Sequence, residues 1–168
     1  MSIEESVSEI LQSLRKVSWA WSKEGVLEGI APLKPEPISS VSGRLTFQII
    51  DSKTLSVYYH QDKVDFIEIT IDAFNDPETL TPSEYEDKVD EFFNKFELAV
   101  STAETVLGKP VFNDGIGSPD FPPEEEAEWL ALWPLETVRV MVQQKHEDKE
   151  LPFRLCLVFV PPADGGTK

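Results

Sequence analysis

The residues of this chain whose types could carry chemistry are two histidines, one cysteine and many carboxylates. His60 and His146 stand in neither the H-E-x-x-H nor the C-x-x-C spacing that brings several ligands to one metal ion. Cys156 lies in the apolar run 155–160 with no helix start or glycine-rich turn to activate it, so a buried structural thiol is predicted. The enzymatic alternative is a Cys156 nucleophile that meets one of the histidines in space.

The carboxylates are far more numerous, with 31 Asp and Glu residues in a chain of 168. Two carboxylates can perform acid–base hydrolysis, but no motif marks any pair, and close pairs arise by chance among so many acids. The run 72–78 gathers oxygen ligands without the spacing and central glycine of a calcium loop, so we interpret it as a turn. The sequence has no glycine-rich phosphate-binding motif. We therefore expect no catalytic residue, cofactor or metal, and predict that the protein is not an enzyme.

The charge balance bears on partners more directly than on chemistry. Only 15 Lys and Arg residues stand against the acids, which gives a formal net charge of −16. Such an excess attracts basic surfaces and repels nucleic acids and anionic membranes. We therefore predict a protein partner with a basic surface, and neither a nucleic acid nor a membrane. General solubility is the alternative explanation of the charge, and the oligomeric state stays open.

Length and composition predict one globular domain. A chain of 168 residues, of which 40% are hydrophobic, can bury a core; we assign residues 1–161 to this domain and residues 162–168 to a flexible tail. The start of the chain is acidic and lacks the apolar block of a signal peptide. No apolar run approaches the roughly 20 residues that cross a bilayer. Together with the single cysteine, these features predict a cytoplasmic protein.

Two amphipathic helices are predicted from the spacing of apolar residues. Within residues 3–14 these residues recur every three or four positions, which predicts an N-terminal helix. A central helix should follow Thr81, because Pro82 suits the first helical position and Glu84 completes a capping box. Its apolar stripe extends over residues 85–107 and should face a sheet.

Runs of alternating apolar residues predict an antiparallel sheet of about five to six strands. The predicted strands are residues 44–50, 54–60, 64–71, 137–143 and 153–160. Residues 129–133 fit a strand and a helix equally well. The prolines of residues 31–37, and the Gly, Pro and Asp of residues 113–123, predict loops. The expected fold is a single α+β domain, with the sheet packed against the N-terminal and central helices.

Three tryptophans are predicted to belong to the core. Trp19 and Trp21 alternate around a small residue and should project to the same side of an extended segment. Trp133 closes the apolar stretch 129–133. The alternative is a place in a partner interface, where tryptophan is enriched among the residues that contribute most to binding.

The order of predicted elements carries a resemblance to known families. A helix, three strands, a second helix and further strands resemble the layout of type III secretion chaperones and the related YbjN-like proteins, which are small acidic proteins that bind other proteins. The chain ends on a strand where those chaperones usually carry a further helix. The segments Trp19-Ala20-Trp21 and Leu107-Gly108-Lys109-Pro110, each following a helix, are similar to features of small immunity-type proteins from bacterial polymorphic-toxin loci.

Charge and resemblance together predict a non-enzymatic binding protein. The leading hypothesis is an immunity protein that occupies the active site of a cognate toxin, since a toxin acting on nucleic acid has a basic cleft. The alternative is a secretion-type chaperone that holds an unfolded effector segment on an apolar groove or an exposed strand edge. The predicted contact residues are Glu84, Asp87, Asp90 and Glu91 on the central helix, with Asp120 and Glu124 from the loop that follows.

Overall fold

The computed structural model describes residues 1–163, which form one antiparallel sheet and three helices. The elements are α1 (Ile3–Leu14), α2 (Lys23–Ile30), β1 (Glu36–Val41), β2 (Arg44–Gln48), β3 (Thr54–His60), β4 (Lys63–Phe74), α3 (Pro82–Leu107), β5 (Phe112–Gly115), β6 (Trp129–Pro134), β7 (Arg139–Lys145) and β8 (Phe153–Val160). The strand order is β1-β2-β3-β4-β8-β7-β6-β5, so two four-stranded meanders join where β4 pairs with β8. The α+β class is confirmed. The tail predicted for residues 162–168 lies, from residue 164 onward, outside the described residues.

The sheet has eight strands in the described chain, so the prediction of five to six was too low. Residues 31–37 are not wholly a loop, because β1 begins at Glu36 and includes Pro37. Proline lacks a backbone donor but is tolerated in an edge strand, and β1 forms one edge of the sheet. The loop predicted at residues 113–123 is also wrong at its start, where β5 forms the opposite edge. Residues 129–133 belong to strand β6.

Helices α1 and α3 begin and end as the sequence predicts. Each starts with a reciprocal capping box, formed by Ser2 with Glu5 in α1 and by Thr81 with Glu84 in α3. Both pack against the same face of the sheet, hereafter the inner face. Although α3 has 26 residues, one side of it is charged. No helix in residues 1–163 combines the length and the apolar character needed to cross a membrane.

The sheet has apolar residues on both faces. The register pairs Ile69 with Leu157 on the inner face and Thr70 with Cys156 on the outer face. The inner face and the helices share one large apolar cluster, which contains the buried Trp19 and Trp133 and the half-buried Trp21. A smaller outer cluster comprises Leu130, Met141, Cys156, Val158 and Val160, and the partly buried Phe121 packs against it. The prediction of core tryptophans and a buried cysteine is therefore confirmed.

The sequence does not predict helix α2, because two of its eight residues are glycines, which disfavour helices. The structure shows why glycine stands there. A Cβ atom at Gly29 would lie 2.6 Å from Cζ3 of Trp19, and one at Gly25 would lie 2.5 Å from the backbone oxygen of Ala20. The glycines therefore let α2 lie directly against the Trp19 segment.

We predict that Gly29→Ala destabilises the protein by about 1–3 kcal/mol, although alanine is the better helix former. The reason is that the three atoms nearest to the added methyl group all belong to the buried indole ring of Trp19. The matched control is Gly117→Ala, where an added Cβ has no heavy atom within 4 Å. Urea unfolding of both variants checks this. Equal stabilities would mean that the Trp19 ring moves aside at no cost.

Candidate functional site

Two of the predicted contact residues on α3 are exposed and form no ion pair with a described Lys or Arg. Asp87 and Asp90 form no ion pair with any residue of 1–163. Glu84 is exposed but already engaged, because its Oε1 accepts a hydrogen bond from the backbone N–H of Thr81 at 2.9 Å. Asp87 and Asp90 are therefore the two predicted helix carboxylates that no described side chain or backbone group engages.

Glu91 is neutralised within the molecule. Its two carboxylate oxygens lie 2.9 Å from Nζ of Lys88 and 2.8 Å from Nζ of Lys95, and Lys95 also pairs with Asp72 of β4. Hydrogen bonds from Lys95 and then Lys88 hold the pKa of Glu91 below its usual value. Burial would lower the pKa of Lys95, but its bonds to Asp72 and Glu91 outweigh burial and raise it. Glu91 therefore anchors α3 to β4 and has little charge to offer a partner.

Asp120 and Glu124 lie on the other side of the sheet from α3. They belong to the segment 116–128, which covers the outer face through Phe121 and through a 2.9 Å hydrogen bond from Nε2 of Gln143 to Glu125. Asp120 is exposed, and Glu124 lies 3.8 Å from Nη1 of Arg139. The structure thus divides the six predicted residues into two groups, four on α3 and two on the outer face.

A further group of carboxylates, which are not among the six predicted contact residues, meets at one end of the sheet. Here β6 begins and β7 ends, and the backbone N–H of Glu128 donates to the carbonyl of Gln144 at 2.8 Å. A cavity of about 200 Å³, which we call the acidic pocket, opens beside this pair. It is lined by Ile116, Glu125, Glu126, Ala127, Glu128, His146 and Glu147. The acidic run 124–128 and the hairpin loop after β7 are visible in the sequence, but their meeting depends on the β6–β7 register.

His146 is a buried wall residue of the acidic pocket, with 8% of its surface exposed. Its ring stacks on Phe153 with centroids 3.8 Å apart and planes inclined by 8°. Its Nε2 lies 2.6 Å from the hydroxyl oxygen of Tyr85 on α3. Its Nδ1 is also buried and has no hydrogen-bond partner among residues 1–163. A neutral imidazole has one donor and one acceptor nitrogen, so this ring retains one unused hydrogen-bonding atom.

Tyr85 joins the acidic pocket to the start of α3. Its pKa is raised above the usual value, first by burial and then by the negative charges of Glu128, Asp148 and Glu86. These three carboxylates come from the segment 116–128, the β7–β8 loop and α3, so they concentrate negative potential around one hydroxyl. We call the acidic pocket together with Tyr85, Glu86 and Asp148 the acidic corner.

The buried carboxylate of the outer face is fully engaged. The two oxygens of Glu68 on β4 lie 2.9 Å from Nζ of Lys145 and 2.8 Å from Nη1 of Arg154, on the two neighbouring strands β7 and β8. Burial alone would raise the pKa of Glu68, but the two cations outweigh burial and lower it. Arg154 also reaches Glu147, with Nη2 at 3.3 Å from the carboxylate. Glu68 is thus a structural charge of the sheet.

The thiol and the second histidine are separate from these clusters. Burial, followed by the charge of Glu68, raises the pKa of Cys156 to about 12, so its thiol stays protonated at neutral pH. His60 is exposed at the end of β3. No three His, Cys, Asp or Glu side chains within residues 1–163 are arranged to hold a metal ion. The chemistry that the described clusters offer is hydrogen-bond acceptance and negative charge.

Comparison of the chain with protein-family models, with curated proteins and with solved structures gave no match. The resemblance to secretion chaperones and immunity-type proteins, which depends on element order and two short segments, stays a prediction. The structure places four strands on either side of α3 in the sequence, where the predicted layout had three before it. Function is therefore inferred from the surfaces of this chain alone.

Proposed function

We propose that the protein is a non-enzymatic binding protein that neutralises a partner with a basic surface, in the manner of an immunity protein and its toxin. The observation that carries this proposal is that most carboxylates form no ion pair with a described Lys or Arg of the same chain. The nine ion pairs within residues 1–163 use only six carboxylate side chains, namely those of Asp51, Glu68, Asp72, Glu91, Glu124 and Glu147. The chain has 31 acids, so most of its negative charge faces solvent or a partner.

Part of the uncompensated charge lies near the start of α3. Asp87 and Asp90 are exposed on this helix, and the acidic corner adjoins its first turns at Tyr85. A field of this kind speeds the encounter with a basic surface and orients the two proteins before contact. A partner cleft that binds a nucleic-acid backbone has the complementary charge.

A non-enzymatic role is supported by the state of the nucleophilic residues. Cys156 is fully buried in the outer cluster, and its raised pKa keeps the thiol protonated. His146 lies on the inner side of the sheet next to Tyr85, whereas Cys156 faces the outer side, so the two cannot act as a pair. The Cys156 nucleophile considered from the sequence therefore has no base in reach at His146.

We predict that Asp87→Asn/Asp90→Asn slows association with the partner by roughly threefold or more at low salt, because electrostatic steering contributes to the on-rate. The partner is first captured from lysate of the native host on the tagged protein at low salt and eluted at high salt. Stopped-flow mixing then gives on-rates at several ionic strengths. The matched control is Glu9→Gln/Glu28→Gln, which removes the same charge from exposed positions on α1 and α2.

Two results would contradict the proposed function. The first is a partner whose capture does not depend on salt, and the second is an equal on-rate for wild type and the α3 variant. Equal slowing by the α3 and control variants would instead show that net charge acts without a defined contact at Asp87 and Asp90.

A secretion-type chaperone is the second candidate, and strand β1 favours it. All six residues of β1 are exposed at the sheet edge, with Ile38 and Val41 at 55% and 50% of their full exposure. An edge strand offers unpaired backbone groups to an extended peptide, and its apolar side chains add contact area. Salt-resistant capture of a partner through an unfolded segment would support this candidate over the immunity role.

A further inference from the structure

The acidic pocket has two carboxylates that the molecule leaves unused. Of its four glutamates, Glu125 accepts a hydrogen bond from Gln143 and Glu147 pairs with Arg154. Glu126 and Glu128 line the same cavity and form no ion pair with the described part of the chain. Backbone hydrogen bonds on both sides of Glu128 fix its position, because its N–H donates to Gln144 and its carbonyl accepts from Ile116 at 2.9 Å.

His146 supplies a second, independent feature of this cavity. It lines the pocket, is more than nine-tenths buried, and keeps Nδ1 without a hydrogen-bond partner among residues 1–163. Leaving a buried polar atom unpaired costs about 1–3 kcal/mol, so such an atom marks a place where a ligand can be accommodated. If Nε2–H donates to the hydroxyl oxygen of Tyr85, Nδ1 is an acceptor, as are the carboxylates that line the same cavity.

We propose that the acidic pocket receives the side chain of one arginine from the basic partner; this inference rests on the proposed function. The pocket combines several carboxylate acceptors with negative charge, and no described Lys or Arg side chain lines it. A guanidinium has five N–H donors in a planar fork and pairs with two acceptors at once, which suits Glu126 and Glu128 better than a point charge does. Ile116 and Ala127 provide apolar wall for the methylene stem of the arginine.

The size and position of the pocket agree with one inserted side chain. A cavity of about 200 Å³ is too small for a folded element of a partner, and its wall residue His146 contacts Tyr85 near the start of α3. A partner steered onto Asp87 and Asp90 would bring neighbouring basic residues to the pocket. An arginine anchored there would be desolvated, as are the side chains that contribute most to protein interfaces.

The test uses the isotope-labelled full chain and two small probes, N-acetyl-arginine amide and the neutral isostere N-acetyl-citrulline amide. At low salt the arginine probe should cause saturable NMR shifts in residues that line the pocket, including Nδ1 of His146, and the citrulline probe should not. Glu126→Gln/Glu128→Gln should weaken binding of the arginine probe by roughly tenfold, because two charge-assisted hydrogen bonds lose their charge. Glu9→Gln/Glu28→Gln, with the same change of net charge, should leave it unchanged.

The inference is overturned if both probes cause the same shifts, if the shifts do not saturate, or if the pocket and control variants respond alike. These outcomes are separate from failure of the proposed function. A pocket that ignores arginine, in a protein that still captures its partner in a salt-sensitive manner, leaves the binding role intact. A pocket that binds arginine, in a protein without any salt-sensitive partner, contradicts the binding role alone.

Discussion

Trp133→Ala is expected to lower the free energy of unfolding by about 4 kcal/mol, the upper part of the range for large-to-small changes in a core. Trp133 on β6 is 1% exposed and is the largest of the fully buried side chains in residues 1–163. Its indole N–H also donates to the carbonyl of Gly108, the residue that ends α3, at 2.7 Å. The substitution therefore opens a cavity and releases the end of the central helix in one step.

Urea unfolding followed by far-UV circular dichroism measures this loss, and two variants separate its causes. Trp133→Phe keeps most of the volume but removes the N–H, so it should cost about 1–2 kcal/mol. Leu98→Ala shortens an apolar side chain of α3 that is 38% exposed, and it should change stability by about 0.5 kcal/mol or less. A loss of under about 1 kcal/mol for Trp133→Ala would show that the core refills without Trp133.

The parts of the fold that were predicted correctly carry their own local signals. Helix α3 has a capping box at Thr81, a proline at its first position and a long apolar stripe, so its start and end were both predictable. Strands β3 and β8 match the predicted ranges 54–60 and 153–160. In β8 seven of the eight residues are buried, and the continuous apolar run 155–160 identifies this strand from the local sequence alone.

The parts that were missed depend on tertiary contacts. Strand β1 contains Pro37, and strand β5 contains Asn, Asp and Gly; all of these residue types disfavour strands. The two strands form because β2 and β6 each offer an edge with which they can pair. Helix α2 contains two glycines that are explained by the nearby Trp19 and Ala20, and such contacts are not written in the local sequence. Local propensity is a weak guide wherever packing decides the conformation.

The candidate site was predictable in composition and not in arrangement. The acids of α3 and of the loop 113–123 could be identified from the sequence, but Glu91 is neutralised by Lys88 and Lys95 and offers a partner little charge. The acidic pocket requires the pairing of Trp129 with Gln144, which sets Glu128 beside the residues that follow β7. Without that register, His146 had no visible neighbours from which to assign it a role.

Glu68→Gln, which removes a buried charge, is expected to have the second large effect. It should lower the free energy of unfolding by about 3 kcal/mol at pH 7. Glutamine has nearly the same volume, so packing is retained while the charge that Lys145 and Arg154 share is lost. The two cations then face each other on adjacent strands at low exposure, Lys145 at 13% and Arg154 at 26%. Because Arg154 keeps some contact with water and with Glu147, we place the loss at the lower end of the range for broken buried pairs.

The control for Glu68→Gln is Asp65→Asn, an exposed position on the same strand. It changes the net charge equally, so it accounts for any relief of general repulsion in a chain with a net charge of −16. Its stability should lie within about 0.5 kcal/mol of wild type. The triple variant Glu68→Leu/Lys145→Met/Arg154→Met should regain most of the loss, since apolar residues can replace a buried ion group. Equal stabilities of Glu68→Gln and Asp65→Asn would show that the ion group contributes nothing.

The contribution of Glu68 should also depend on pH in a defined direction. Its pKa is lower in the folded chain than the ordinary value of 4.5, so the folded state favours the charged form. The stabilisation is therefore complete above pH 4.5 and is lost as the pH falls through the lower pKa of the folded state. The stability difference between wild type and Glu68→Gln should stay constant from pH 7 to pH 5.5 and shrink on further acidification. Urea unfolding of both proteins across this range measures it, and a difference that grew towards low pH would contradict the assignment of a lowered pKa.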